Sequence, residues 1–430
     1  MSAPFRAVLR CAALFAAAAG VMLALLLGAA AIPREAIRER LRTSAEYLAA
    51  RPVFFLALPG VEGSRIDRYA DSILLGIAWQ YDREALLPSV MQSAYYYTPY
   101  QNENDNLLEA VERDLAANQQ YLRYWHGSNA LVRPLLTVLS LREIYLLGGL
   151  ALGLLALALV LTLLRGRAFW AAGGVIAGMG AACFWWAPLS LEYTWVCLLC
   201  LGFSLLVLRC ERRGRRDRLP GLFLLSGLAT SFLDFLTCET LTLLIPLLLL
   251  VRLQSEDARA NPRRAALGAA LAWCCGYGGM WALKWLLASL VLGQNVLPYV
   301  TGHVEERVAG ALPWVRPGAA LPGAILLNLL CLFPIGWGGG GLLAGLALIL
   351  GALYRGYVYR RPGWNRSLTA VYCALGLVPY VRYLVLHNHS LLHCFFTYRA
   401  QMATVLAAAL ILEELTERRG RHDAGGQRAP

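Results

Sequence analysis

Charge is scarce in this chain. Only 15% of its 430 residues are Asp, Glu, Lys or Arg while 58% are hydrophobic, which excludes an ordinary water-soluble globule, a disordered chain and a coiled coil. Lysine is almost missing. Lys284 stands alone beside 38 Arg, most of them in short runs between apolar stretches, so the formal charge of +12 fits the positive-inside bias and offers no nucleic-acid-binding face. Cysteine is absent from the long polar stretch Pro33 to Arg142, where no disulfide framework is therefore expected; nearly all of the eleven Cys lie within or beside apolar segments. Neither a P-loop nor a GxSxG elbow is present, and the chain shows no internal repeat of the kind many transporters carry.

What the chain has in abundance is apolar sequence. Crossing a bilayer takes roughly 20 apolar residues per helix. Runs at 11–32, 143–164, 168–187, 191–208, 220–236, 240–253, 265–293, 322–353, 367–386 and 397–415 predict an all-α, polytopic membrane helix bundle of about ten spans. Residues 1–32 read as a first, uncleaved span, because its 22 apolar residues exceed a usual signal-peptide core. Residues 33–142 read as a long exterior loop, 143–415 as a nine-span membrane bundle and 416–430 as a cytoplasmic tail.

With the N-terminus inside, the cytoplasmic segments and tail hold 22 of the 38 Arg, while the loop 33–142 balances 12 Arg with 13 acidic residues, as a translocated segment should. The expected location is the bacterial inner (plasma) membrane, with both termini cytoplasmic. The loop contains helical patterns: Leu107, Leu108, Val111 and Leu115 recur among charges, as do Ile37, Leu41 and Leu48. Such helices are expected to lie on the bilayer surface and cover a cavity opening. The short pair of spans at 220–253 predicts tilted helices around that cavity, and the FPIGWGGGG motif at Phe333 to Gly341 predicts a weakened or broken helix.

Under this topology the ionisable residues gather at one face. His126, Asp234, Glu239, His389, His393 and Arg399 fall in outer loops or at outer helix ends, and five of the six His are external. Lys284 lies inside its span, roughly 14 Å below the outer surface by helical rise. An unpaired charge there costs on the order of 2.5–3.5 kcal/mol, so a functional role competes with simple snorkelling to water. Arg382, nearer its helix end, divides between the same two readings. Asp67 and Asp71 stand four residues apart, so on a helix their carboxylates share a face, and like charges there raise one pKa toward general-base use. A solvated helix start would equally explain acids at that place.

One N-terminal span, a long exterior loop with an early Asp, and a bundle with basic residues near its outer face resemble the GT-C superfamily of integral-membrane glycosyltransferases. The stretch DRYADSILLGIA is similar to the D-E-x-R-Y-A-E-I-A block of the aminoarabinose and protein-mannosyl transferase branch, with Tyr69, Ala70 and Asp71 on its Y-A-E. Arg65 stands where that branch has its catalytic Asp, and Asp67 comes two residues later, so Asp67, Asp71 and Asp234 all stay open as the base. Three further blocks, Arg123 to Leu136, Ser231 to Leu247 and His387 to Arg399, are similar to stretches of bacterial polytopic membrane proteins.

The resemblance implies transfer of a sugar from a polyprenyl-phosphate carrier to an envelope glycan, lipid or protein acceptor. Asp67 or Asp71 would take the acceptor proton, and Lys284, Arg382 and Arg399 would hold the donor phosphate. His126, Asp234, Glu239, His389 and His393 would contact substrate. The H-x-H-x-x-x-H pattern at His387, His389 and His393 leaves a divalent metal open, though no cofactor is required. A transporter or flippase, a polysaccharide polymerase or ligase, and a non-catalytic envelope assembly protein are the alternatives.

Overall fold

The computed structural model describes residues 3–257, 259–308, 315, 318–332 and 339–416. Among these residues the one sheet is a small antiparallel hairpin, Phe54–Leu56 against Arg65–Asp67, with Phe54 opposite Asp67; the other regular elements are helices. Among the described residues six helices are long and apolar enough to cross a membrane: Val8–Ala30, Leu141–Arg165, Leu191–Arg212, Pro262–Leu292, Arg366–Val385 and Cys394–Thr416. Their outward faces are apolar. Leu146, Leu150, Leu154 and Leu157 form an exposed stripe on one helix, and Leu267, Leu271, Leu286 and Leu290 do so on another. Stripes of this kind are a liability in water and cost nothing in lipid, which makes the chain a multi-pass membrane protein.

Four other expected spans are shorter helices or pairs of helices. The 168–187 run holds helix Phe169–Ala181, which stops before Cys183 at a left-handed φ of 49° and continues as a 3₁₀ turn through Pro188. Within the 322–353 run the described residues form helices Ala320–Leu332 and Gly339–Val358, and residues 333–338 of the Phe333 to Gly341 motif lie outside the described residues, as does the tail beyond 416. Leu219–Leu233 and Leu241–Gln254 are short for a different reason. Every residue from Leu241 to Arg252 is buried, so the latter helix faces neighbours on all sides and forms the middle of the bundle. Gly227 and Gly276 bring Leu219–Leu233 and Pro262–Leu292 into backbone contact, since a methyl group at either would meet the carbonyl of Trp273 or Leu224.

The segment between the first two long helices is a packed cap. Helix Arg34–Ala49 buries Ile37, Leu41, Ala45 and Leu48 against Leu74, Leu75 and Trp79 of helix Tyr69–Gln80 and Leu107 and Val111 of helix Glu103–Glu112. The apolar faces are thus buried against one another, each fully buried large aliphatic side chain contributing roughly 1.5–3 kcal/mol relative to water, where the sequence led us to expect them on the bilayer surface. Val132, Leu136, Leu141, Ile144 and Tyr145 continue the same core into the Leu141–Arg165 helix and fix the cap to the bundle.

The cap covers the end of the bundle where helix Leu191–Arg212 begins and where Leu219–Leu233, Pro262–Leu292 and Arg366–Val385 finish. At the far end of these helices stand ion pairs: a buried one between Arg252 and Glu413 at 2.8 Å, a half-buried one between Arg361 and Glu414 at 2.7 Å, and an exposed one between Arg216 and Asp257 at 2.7 Å.

Candidate functional site

Between cap and bundle lies a cavity of about 340 Å³ whose wall draws on the hairpin, the loop 121–126, three bundle helix ends and the 387–396 turn. Asp67 ends the hairpin strand and accepts the Ala70 N–H at 3.1 Å, so it caps the first turn of helix Tyr69–Gln80. Its carboxyl also shares a hydrogen bond with Glu192, which opens helix Leu191–Arg212. Both acids are buried, and Glu192 Oε1 has no partner among the described residues. Burial pushes the Asp67 carboxyl up to about 6, against the pull of the Ala70 N–H.

His126 holds a left-handed backbone, φ 51°, which a non-glycine residue adopts at a cost. The next residue explains how it is held. Gly127 donates its N–H to Phe232 O at 3.0 Å, and its α-carbon lies so close to the Phe232 ring that no side chain fits. The His126 ring packs among Tyr121, Tyr124 and Phe235 with neither nitrogen hydrogen-bonded among the described residues. Burial, helped by Lys284 and Arg123, lowers its pKa far below the usual value. Burial likewise lowers His393, to about 4, and His389. All three imidazoles are therefore neutral hydrogen-bonding groups at neutral pH.

Two guanidiniums complete the wall. Arg123 donates to Tyr121 Oη at 2.8 Å and lies over the Tyr121 and Tyr124 rings, while Arg307 donates to His303 O at 3.0 Å and Tyr124 Oη at 3.3 Å. The cavity thus has a carboxyl pair, two cations, neutral imidazoles and aromatic faces from Phe54, Tyr69 and Phe396. It can accept a proton, hold an anion and stack a ring.

Of the residues singled out from sequence, Asp67, His126, His389 and His393 meet in this cavity. The others do not line it, although Arg382 Nη2 lies 3.4 Å from His389 Nδ1 behind the wall. Asp71 accepts from Tyr145 Oη and from Leu191 N at 3.0 Å, tying the cap to two bundle helices. Lys284 donates to Val90 O at 3.2 Å and Met91 O at 2.9 Å and lies 5.6 Å from the Trp125 ring. Arg382 and Glu239, expected on donor and acceptor, bind each other at 2.9 Å, with Arg382 also donating to Ser390 Oγ and Leu236 O. Asp234 accepts from Leu236 N and Thr237 N and shapes the turn after its helix. Arg399 donates to Phe395 O and stacks on Tyr193 at 4.2 Å.

Sequence reasoning did not assign Glu192, Arg123 or Arg307 to the site. Arg123 lies three residues before His126 in a block already singled out, and Glu192 is the acid that opens a span, so both had a signal. Arg307 had none. Among the described residues no three His, Cys, Asp or Glu side chains converge to hold a metal ion. His389 and His393 are neighbours at 4.8 Å between rings, whereas the His387 ring turns toward Leu384 O. Compared with models of protein families, with curated proteins and with solved structures, the chain matches none.

Proposed function

We propose that the protein is a transferase of the bacterial plasma membrane, with about ten crossings in a GT-C-like arrangement and cytoplasmic termini. It moves a sugar from a polyprenyl-phosphate donor to an envelope glycan, lipid or protein on the outer face. The observation that carries this reading is the buried Asp67 carboxyl, held against Glu192 in the wall of a polar cavity beneath the cap.

Glycosyl transfer needs a base that water does not swamp. As the acceptor oxygen bonds to the anomeric carbon, its proton passes to the Asp67 carboxylate, the bond from that carbon to the phosphate oxygen breaks, and the electron pair leaves with the phosphate. Glu192 holds the Asp67 carboxyl in place, and the neutral imidazoles orient hydroxyls without adding charge. With Asp67 at about 6, the base is mostly protonated below that pH and ionised above it, so transfer rises as pH rises through 6.

The test supplies the purified full chain in lipid nanodiscs with a panel of polyprenyl-phosphate sugars and envelope extract, and follows release of polyprenyl phosphate. Asp67→Asn is expected to cut the rate by about 100-fold or more, the size of a general-base contribution, with the protein still eluting as a folded particle. An unchanged rate in that variant refutes the assignment of the base.

A further inference from the structure

We propose that Arg123 and Arg307 form a phosphate-binding site at the junction of two cavities, and that its ligand is an amphiphile whose long hydrocarbon chain lies in the second cavity. The inference deepens the donor reading above and rests on it for the identity of the reaction, though not for binding.

The first observation is charge without a counter-charge. Neither guanidinium takes part in an ion pair among the described residues; their hydrogen bonds go to two tyrosine hydroxyls and a backbone carbonyl, all neutral. The Nε atoms of both are buried with no partner among the described residues. Nearby acids do not serve them: Glu306 pairs with His303 at 2.8 Å, and Asp67 and Glu192 bond to each other. The two guanidiniums are half-buried and face the cavities with unpartnered Nε–H groups among the described residues, and a phosphate ester brings both the charge and acceptor oxygens in a matching geometry.

The second observation is where these cations stand. Arg123, Arg307 and Tyr124 line the polar cavity and also a neighbouring cavity of about 370 Å³. The neighbour is apolar, walled by Tyr277, Trp281, Trp285, Val300, Val304 and Leu386. Trp285 donates its indole N–H to Arg123 O at 3.2 Å, so the apolar wall itself positions one of the cations. Tyr277, Trp281 and Trp285 belong to the long apolar helix Pro262–Leu292, which puts this groove against a membrane-crossing element. A phosphate seated between the guanidiniums would have hydrocarbon space on one side and the Asp67 cavity on the other. A free phosphate would use only half of this arrangement.

The experiment titrates the full chain in nanodiscs with three probes: inorganic phosphate, a polyprenyl monophosphate and the matching polyprenol, reading the thermal midpoint. Polyprenyl monophosphate is expected to bind at least about tenfold tighter than either other probe, because it alone engages both cavities. Arg123→Gln and Arg307→Gln should each weaken it by about tenfold or more. Trp281→Ala should weaken the lipid phosphate and leave inorganic phosphate unchanged. The Arg123→Lys, Arg307→Lys double variant keeps the charge and should recover much of the binding, which separates loss of the site from loss of the fold.

Equal binding of polyprenol and polyprenyl monophosphate overturns the phosphate site, as does binding indifferent to both glutamine variants. Equal binding of inorganic and polyprenyl phosphate, with no effect of Trp281→Ala, overturns the groove and leaves a free-anion site. Binding as expected without transfer from any donor removes the transferase reading alone. Transfer that survives both glutamine variants removes the phosphate site alone.

Discussion

Lys284 shows what a buried charge does and does not reveal. Its depth in an apolar span marked it as expensive, and an unmatched charge invites a functional reading. Its neighbours are two carbonyls at the end of helix Leu86–Gln92, where unsatisfied C=O groups and the negative end of the helix dipole already wait for a cation. The same solution recurs twice. Arg68 donates to Tyr47 O and Leu48 O near the end of Arg34–Ala49, and Arg133 to Ala29 O and Ala30 O at the end of the first helix. Sequence gave the cost of each charge but not its partner, because Val90 and Met91 are remote from Lys284 along the chain. Replacing Lys284 by Met keeps the stem and removes the Lys284 donor from Met91 O, while Val90 O keeps the Ser93 hydroxyl at 3.0 Å, at a cost of about 1–3 kcal/mol. Thermal unfolding of the Lys284→Met variant should therefore show a lower midpoint, while the fraction still folded binds polyprenyl monophosphate as the parent does. Binding lost at full stability would restore a ligand-contacting role to this lysine.

At the scale of elements, the helical patterns in 33–142 were legible: Ile37, Leu41, Leu48, Leu107 and Val111 are buried, whereas Leu108 is half-buried and Leu115 lies beyond the helix end at Glu112. Their partners were not, since periodicity says which face is apolar and nothing about what covers it. Asp71 is the polar counterpart of that apolar core. It joins helix Tyr69–Gln80 to Tyr145 and to the start of Leu191–Arg212. Burial pushes its carboxyl up to about 8; Tyr145 and the Leu191 N–H pull down and the Asp67 charge pushes up. The folded chain thus keeps a proton that the unfolded chain gives up near pH 4. Stability from this group is full below about pH 4 and is lost as pH rises through 8. Asp67 adds a slope of the same sign but only up to about 6. In Asp71→Asn the decline in thermal midpoint between pH 6 and 8 should flatten, since the amide keeps an acceptor for Leu191 N and cannot ionise. An unaltered slope in that window would mean Asp71 is already ionised in the folded protein.

At the scale of the whole molecule, the proposed direction of the chain across the bilayer rests on arginine, and the fold supplies a way to test it. Helix Leu191–Arg212 begins at Glu192 in the cavity wall and ends at Arg212, so 22 residues, or roughly 33 Å of helical rise, separate the cap from the basic turn at Arg213 to Arg218. That length matches a hydrocarbon core, and a helix that crosses it puts its two ends in different compartments. The cap end holds the polar cavity, while the other end holds the Arg-rich turns that cytoplasmic loops favour. Tyr100, 94% exposed on the cap, and Arg213, exposed at the far turn, are reporters for the two sides. Tyr100→Cys should react with a membrane-impermeant maleimide in intact spheroplasts, and Arg213→Cys only after permeabilisation, each read against the parent chain, whose Cys274, Cys275 and Cys373 are exposed. The opposite pattern would put the Asp67 cavity on the cytosolic side. There, soluble nucleotide-activated donors compete with lipid-linked ones, and the argument for a membrane-borne donor would then rest on the apolar groove beside Arg123 and Arg307 alone.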